Sequence, residues 1–424
     1  MTQTVDEGVA NPAKTYRLLA TLQASQYVPI NFIHLALVAI LRDRGASLSQ
    51  LAALNAAALL LAVKFLWAPL LDRYGARRGH FRSWLLVLQP VMALGLAALL
   101  PIDPVDDFGL LLLIVLLVVQ TAAMQDVAGD ALAVRTLRHG DRGFGSGMRL
   151  AGGYFGHVVG GGLSLLVYSR WGWQAAVLVV ALITLVPLWQ LASYHEEERG
   201  PRAQHQSIST LLAVFREPAV RRWTFVLLPL SWIGATSGYS LVTPMLVDAD
   251  WSPDRIAVVV GMAGSVLGVA GAVLGGFLTR RLGRSQVLAL SCGGQAVALA
   301  AFLPLGAGFA PVPLTVAVLS FFAATYAAAS VAVNTILMDL TRRQFAASDF
   351  TILTSLASLV TLAGGALSIA IAEHTGYQPV LLVAVGLVLV ATAVNLRQPD
   401  PVYRWGVPSV HATSEVLPTG RRTS

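Results

Sequence analysis

The chain is built of long apolar runs parted by short polar joints, and the alternation repeats twelve times. About 20 mostly apolar residues cross the hydrocarbon of a bilayer as one helix, so each run is long enough to span it. The runs lie near 16–40, 48–71, 82–101, 109–134, 144–169, 173–193, 221–247, 255–279, 286–305, 313–339, 348–373 and 377–397. They predict an all-α integral membrane protein of twelve transmembrane helices. Arginine and lysine in short loops collect on the cytoplasmic side. Joints after runs two, four, eight and ten carry Arg73, Arg77, Arg78, Arg135, Arg138, Arg142, Arg280, Arg281, Arg284, Arg342 and Arg343; the opposite joints carry Arg42, Arg44, Arg170 and Arg255. Both termini are therefore expected in the cytoplasm.

The longest internal polar segment, "SYHEEERGPRAQHQSIST" (193–210), divides the runs six and six. Its mixed charges and Gly-Pro step read as a linker carrying an interfacial helix. The expected organisation is a cytoplasmic start over 1–15, a six-helix bundle over 16–193, a linker over 194–220, a second bundle over 221–397 and a Pro-rich tail over 398–424, expected to be disordered. The halves also echo each other. A shift of 208 residues sets Asp72 on Arg280, Arg73 on Arg281, Gly75 on Gly283 and Asp126 on Asn334.

Composition agrees with a membrane protein. Of 424 residues, 56% are hydrophobic and only 12% charged, with a mean hydropathy of +0.68. A soluble domain cannot hide that much apolar surface behind so few charges. The pI near 9.8 comes from arginines spaced between apolar runs, which points to topology and not to a nucleic-acid partner. The single cysteine, Cys292, lies inside a run, which leaves no internal disulfide and implies no redox role. The start "MTQTVDEGVANPAKTY" has no pattern of a removed signal peptide. The only lysines, Lys14 and Lys64, sit in no phosphate-cradling loop, and the eight histidines are scattered without an HExxH. An ATP-driven pump, an enzyme, a metal site and a cofactor are accordingly not expected.

Polar residues inside the runs carry the functional signal, because an ionised group at bilayer depth costs about 3 kcal/mol unless it finds partners or water. Run one holds Gln23, Gln26, Tyr27, Asn31 and His34 within about 140° of one another on a helical wheel. Run seven holds Trp232, Thr236, Tyr239 and Thr243 on one face. Two facing stripes suit a water-accessible chamber between halves; the bland alternative is hydrogen bonding in a packed bundle. Lys64 either snorkels to the interface or pairs with Asp126 or Asp130 of run four. In run five, Arg149 can pair with Asp126 or meet an anionic substrate, and His157 or His34 can carry a proton. Asp126 is the first candidate for proton coupling, while Asp130 is expected to join Arg135 in a cytoplasmic charge network. Tyr326, Ser330 and Asn334 of run ten, and Thr351, Ser355, Ser358 and Thr361 of run eleven, either line the chamber or bridge helices.

A parallel repeat of six plus six runs, with "APLLDRYGARRG" after the second, resembles the major facilitator superfamily. The second copy, "GGFLTRRLGRSQ", departs from that pattern by placing Arg280 where the acid belongs. The resemblance implies that Asp72 lies against the start of run eleven, near Ser348, and latches the cytoplasmic side. Arg73, Arg77 and Arg78 need no more than the positive-inside rule. More narrowly, "KFLWAPLLDRY", "QDVAGDALAVRTL" and "GSGMRLAGGYFG" resemble the AmpG-type branch, most of all its siderophore permeases. That implies monomeric, proton-coupled import of a small molecule, such as an iron–siderophore chelate, across a bacterial inner membrane. Peptidoglycan fragments, another organic anion, or export of a drug-like compound are the alternatives. The substrate-binding candidates are Tyr27, Asn31, His34, Arg149, Trp232, Tyr239, Tyr326 and Asn334. Asp126 and His157 are the coupling candidates, and Lys64, Asp72, Arg73, Asp130 and Arg135 the gating candidates.

Overall fold

The computed structural model describes residues 12–74, 79–196, 212–256, 258–260 and 264–398. Gly75, Arg77, Arg78, most of the linker with its expected interfacial helix, and the tail expected to be disordered lie outside the described residues. Among the described residues every regular element is helical. Nine helices there are long and apolar enough to cross a membrane, or ten if the bent pair Ser49–Ala62 and Lys64–Arg73 counts as one span. The stretch His139–Ser193 holds two spans, because Gly172 (φ 80°, ψ −172°) leaves helical geometry inside it. Only glycine adopts that backbone without strain. Counting that stretch as two helices and adding the less apolar His80–Ala97 gives twelve long helical segments among the described residues.

We label them α1 (Ala13–Asp43), α2 (the bent pair), α3 (His80–Ala97), α4 (Phe108–Thr136), α5 (142–171), α6 (173–193), α7 (Pro218–Asp248), α8 (Gly264–Leu282), α9 (Arg284–Gly306), α10 (Val312–Leu340), α11 (Arg343–Thr375) and α12 (Tyr377–Arg397). Local sequence explains several ends. Ser47 and Gln50 form a reciprocal capping box at the start of α2, which satisfies two donors that a helix start otherwise leaves open. The expected single run 48–71 is instead broken. Val63 departs from α geometry, Lys64–Leu66 form a 3₁₀ turn, and the two segments meet at 43°. Pro69 supplies a cause: it has no N–H, and its ring crowds the carbonyl of residue 65.

Packing reproduces the internal repeat. In the first half α1 packs on α5, and α3 lies between α4 and α6; in the second, α7 packs on α11, and α9 lies between α10 and α12. The halves meet along α5–α8 and α2–α11, which are again equivalent pairs. Lipid tails are as apolar as leucine, so helices associate through close packing and not by escape from water. Gly152, Gly156 and Gly160 of α5 accordingly face the carbonyls of Ala20, Ala24 and Val28 of α1. A methyl group at Gly156 would stand 2.8 Å from the Ala24 carbonyl oxygen.

Candidate functional site

Hydrogen bonds between the halves gather at the arginine-rich end of the molecule. Asp72, closing α2, accepts from the backbone N–H of Ala347 (3.2 Å) and Ser348 (2.7 Å) and from the Ser348 hydroxyl (2.6 Å). The first N–H groups of a helix have no intrahelical partner, so this carboxylate caps α11 from the opposite half. At the equivalent place Arg280 ends α8 and lies 3.6 Å from Asp141, just before α5. The repeat equivalent of Asp141, Asp349 at the start of α11, is also an acid and holds Arg342 of its own half (2.7 Å). Arg343 donates to the carbonyl of Arg135, two positions 208 residues apart, so the repeat's own equivalents touch.

Asp339, at the end of α10, is a second junction. Its carboxylate accepts from Arg142 of the first half (2.8 Å) and Arg284 of its own half (3.0 Å), with His139 at 3.1 Å. Arg142 also reaches the Met338 carbonyl, and Arg284 the His139 carbonyl. Beneath these bonds Gly147 and Gly276 bring α5 and α8 into backbone contact. The expected partnership of Asp130 with Arg135 is not formed. Arg135 pairs with Glu196 (3.4 Å) and lies over the Phe81 ring, because Asp130 sits more than a turn deeper in α4. Glu196 also accepts from the Arg82 N–H (2.8 Å). Burial raises its carboxyl above the usual range, against the pull of the Arg82 N–H and the Arg135 charge. Arg73 is exposed and lies over the Tyr74 ring.

Deeper in the first half two ion pairs stand in the membrane. Lys64 Nζ lies 2.5 Å from Asp126 Oδ2, at the break in α2. Arg149 pairs with Asp130 and donates to Gln23 (2.7 Å), not to Asp126. Gln26 bonds Asp126. Four charges from α2, α4 and α5 thus cancel in pairs, with amides of α1 beside them, which is what burial of ions requires. Neither the snorkelling of Lys64 nor a free Arg149 describes this arrangement.

The second half presents an aromatic wall. The Tyr239 ring is stacked on Phe322 (centroids 5.6 Å apart, planes 5° apart) and on Tyr326 (6.1 Å), and Trp232 leans on Tyr326 (5.1 Å). Trp232 is buried and donates to Thr361 (2.8 Å). Tyr27 and Tyr239, one from each half, stay 37% and 45% exposed. Tyr27 lies within electrostatic reach of both ion pairs, and Tyr154 of α5 lies within reach of Tyr27, Tyr239 and Tyr326. Tyr27 and Tyr239 thus carry accessible surface beside ionic groups of the first half and aromatic rings of the second. The remaining candidates stand around or above them. Asn31 is buried and bonds back to the Tyr27 carbonyl (2.8 Å). Asn334 does the same to Ser330 (2.8 Å). His34 has Asn55 of α2 as a polar neighbour, and its buried Nε2 has no hydrogen-bond partner among the described residues. His157 is half-buried where α5 passes into a π-helical turn.

Sequence reading missed Asp339, Tyr154 and Phe322. Asp339 carried one signal, an acid at the end of a run, three and four residues before Arg342 and Arg343.

Comparison with known proteins agrees with this architecture. The profile described as Major Facilitator Superfamily matches residues 19–348. The anhydromuropeptide permease of Escherichia coli is 29% identical over 53% of this chain and 47% of its own length; the chain thus spans about half of that relative. The putative transporter AmpG 4 of Rickettsia conorii is 23% identical over 82% of this chain and 87% of its own. Among solved structures, the FucP transporter in its outward conformation shares 16% identity at a TM-score of 0.67, covering 90% of this chain and 98% of that one.

Proposed function

The chain belongs to the Major Facilitator Superfamily as a multi-pass membrane transporter, and within that family we propose that it imports peptidoglycan fragments of the anhydromuropeptide class. The observation that carries this reading is the unlike pair of walls around Tyr27 and Tyr239. Stacked aromatic faces suit the apolar faces of sugar rings. The ion pairs opposite suit the carboxylates and amides of a peptide. The E. coli permease, whose name states the same substrate class, supports it. The siderophore expectation draws on sequence resemblance alone and ranks behind.

In this reading 16–193 and 221–397 are the two moving bundles and 194–220 the cytoplasmic linker. The arginine-rich end faces the cytoplasm of a bacterium whose inner membrane holds the protein, and one chain suffices. With the latches of Asp72 and Asp339 closed, the chamber is open to the periplasm. Coupling follows from charge. A proton on Asp126 would strand the Lys64 ammonium at a cost of about 3 kcal/mol, unless a carboxylate of the substrate replaces the lost partner. Proton and anion then enter together, and the pair biases the two orientations only because they bind them unequally. Tyr27, Asn31, Trp232, Tyr239, Tyr326 and Asn334 would contact substrate, with Lys64 and Arg149 orienting it; His34 and His157 are secondary.

The test is saturable uptake by proteoliposomes of a labelled anhydromuropeptide beside a labelled ferric siderophore. Uptake of the first, competed by unlabelled muropeptide and not by the chelate, is expected. The reverse order would return the siderophore reading to first place.

A further inference from the structure

We propose that a groove on the outer face of the second half binds an anionic phospholipid of the leaflet at the arginine-rich end. The phosphate would rest on Arg221 and Arg222, and one acyl chain would lie along the groove. The cavity lies between α7, α11 and α12, away from the chamber, and has a volume of ≈ 490 Å³. Its walls include Phe225, Pro229, Ile233, Leu367 and Val383, and they are almost wholly apolar.

Three observations choose the occupant. Arg221 continues the line Phe225, Pro229, Ile233, Ser237 at steps of four, so the stripe that walls the groove ends in a cation at its membrane surface. Arg221 and Arg222 are both exposed there, and arginines at that level attract anionic headgroups. From Phe225 to Ser237 the groove follows α7 for about 18 Å at 1.5 Å per residue, and along α11 it continues from Gly364 to Ile371. An acyl chain of one leaflet of a hydrocarbon core about 30 Å thick therefore fits within its length. The Thr224 hydroxyl, between the arginines and the apolar wall, is buried and finds no hydrogen-bond partner among the described residues. A buried donor left open is costly, and a turn of the Thr224 side chain toward the groove mouth would let a phosphate or ester oxygen satisfy it. Ser237 and Ser368, the other polar lining groups, are already bonded to carbonyls of α11. Phe215 packs on Phe225 (centroids 5.4 Å apart) and closes the flank of the mouth.

The experiment is native mass spectrometry of the full-length protein offered phosphatidylglycerol and phosphatidylcholine of equal chain length. Wild type should retain the anionic lipid preferentially. The double variant R221Q/R222Q should lose that retention by roughly tenfold or more while holding phosphatidylcholine as before. Ala363→Trp, which fills the exposed side of the groove without entering the core, should lower retention of both lipids. Equal retention of the two lipids by wild type, or undiminished phosphatidylglycerol on R221Q/R222Q, would overturn the site. Displacement of the lipid by soluble glycerol phosphate would also overturn it, since the arginines would then bind a phosphate and not a lipid.

Discussion

Replacing Asp339 by asparagine keeps the side chain's shape and removes its charge. The carboxylate is 1% exposed, and the side chains of Arg142 and Arg284 are 11% and 12% exposed. Its bond to Arg284 lies within one half, so the loss there is shared by every orientation of the halves. The 2.8 Å bond to Arg142 exists only while the arginine-rich end is shut. A hydrogen bond to a charged group contributes about 1.5–3 kcal/mol, so the closed state should lose that much against the open one. At 1.4 kcal/mol per decade the population of the open state rises roughly tenfold to a hundredfold. Thr279→Cys in a Cys292→Ser background reports the change. Thr279 is 1% exposed, and its methyl would stand 2.7 Å from a Cβ placed on Gly143 of α5. Maleimide labelling at that position requires α5 and α8 to part. D339N should speed labelling by about tenfold or more while the protein stays monodisperse. A labelling rate equal to that of the parent would refute the idea that this junction holds the halves together.

Asp72→Ala removes the cap on α11, worth about 0.5–2 kcal/mol for a side-chain cap. Uptake should fall while membrane insertion, read by fractionation, stays intact; unchanged uptake would remove the latch. Asp126→Asn should abolish the dependence of uptake on an imposed proton gradient and destabilise the protein by leaving Lys64 unpaired. Thermal unfolding of the double variant K64M/D126N should recover that stability, whereas a pH profile of D126N equal to wild type would exclude Asp126 from coupling. Glu196, outside the spans, has a carboxyl raised in the folded state, so the fold binds more protons there than the unfolded chain does. Its contribution to stability is present below the ordinary carboxylate pKa and is lost as pH rises through the raised one. Melting temperatures from pH 4 upward should fall less steeply in Glu196→Gln; identical slopes would contradict this.

The membrane-spanning helices were legible because hydropathy at this length has a single physical cause, the thickness of the bilayer. Asp72 was legible as well, since an acid among loop arginines gains nothing from topology and has to serve a contact. Choosing partners within the membrane was harder. Asp126 and Asp130 share a face one turn apart, so their pairing depends on the relative heights of α2 and α5, which no local pattern encodes. Lys64 and Asp126 lie 62 residues apart, and the break at Val63 that carries Lys64 inward depends on tertiary context as well as on Pro69. Asp339 stayed hidden because its partner Arg142 is 197 residues distant, and because an acid beside two loop arginines reads as surface charge.

The account rests on a carrier whose two halves alternately expose one chamber and whose substrate travels with a proton. Concentrative uptake of a labelled anhydromuropeptide into proteoliposomes, acidic outside, measures that directly. Accumulation above the external concentration that collapses with a protonophore is expected, and Asp126→Asn should abolish it. Binding of the label without accumulation, or accumulation indifferent to the proton gradient, would contradict the account.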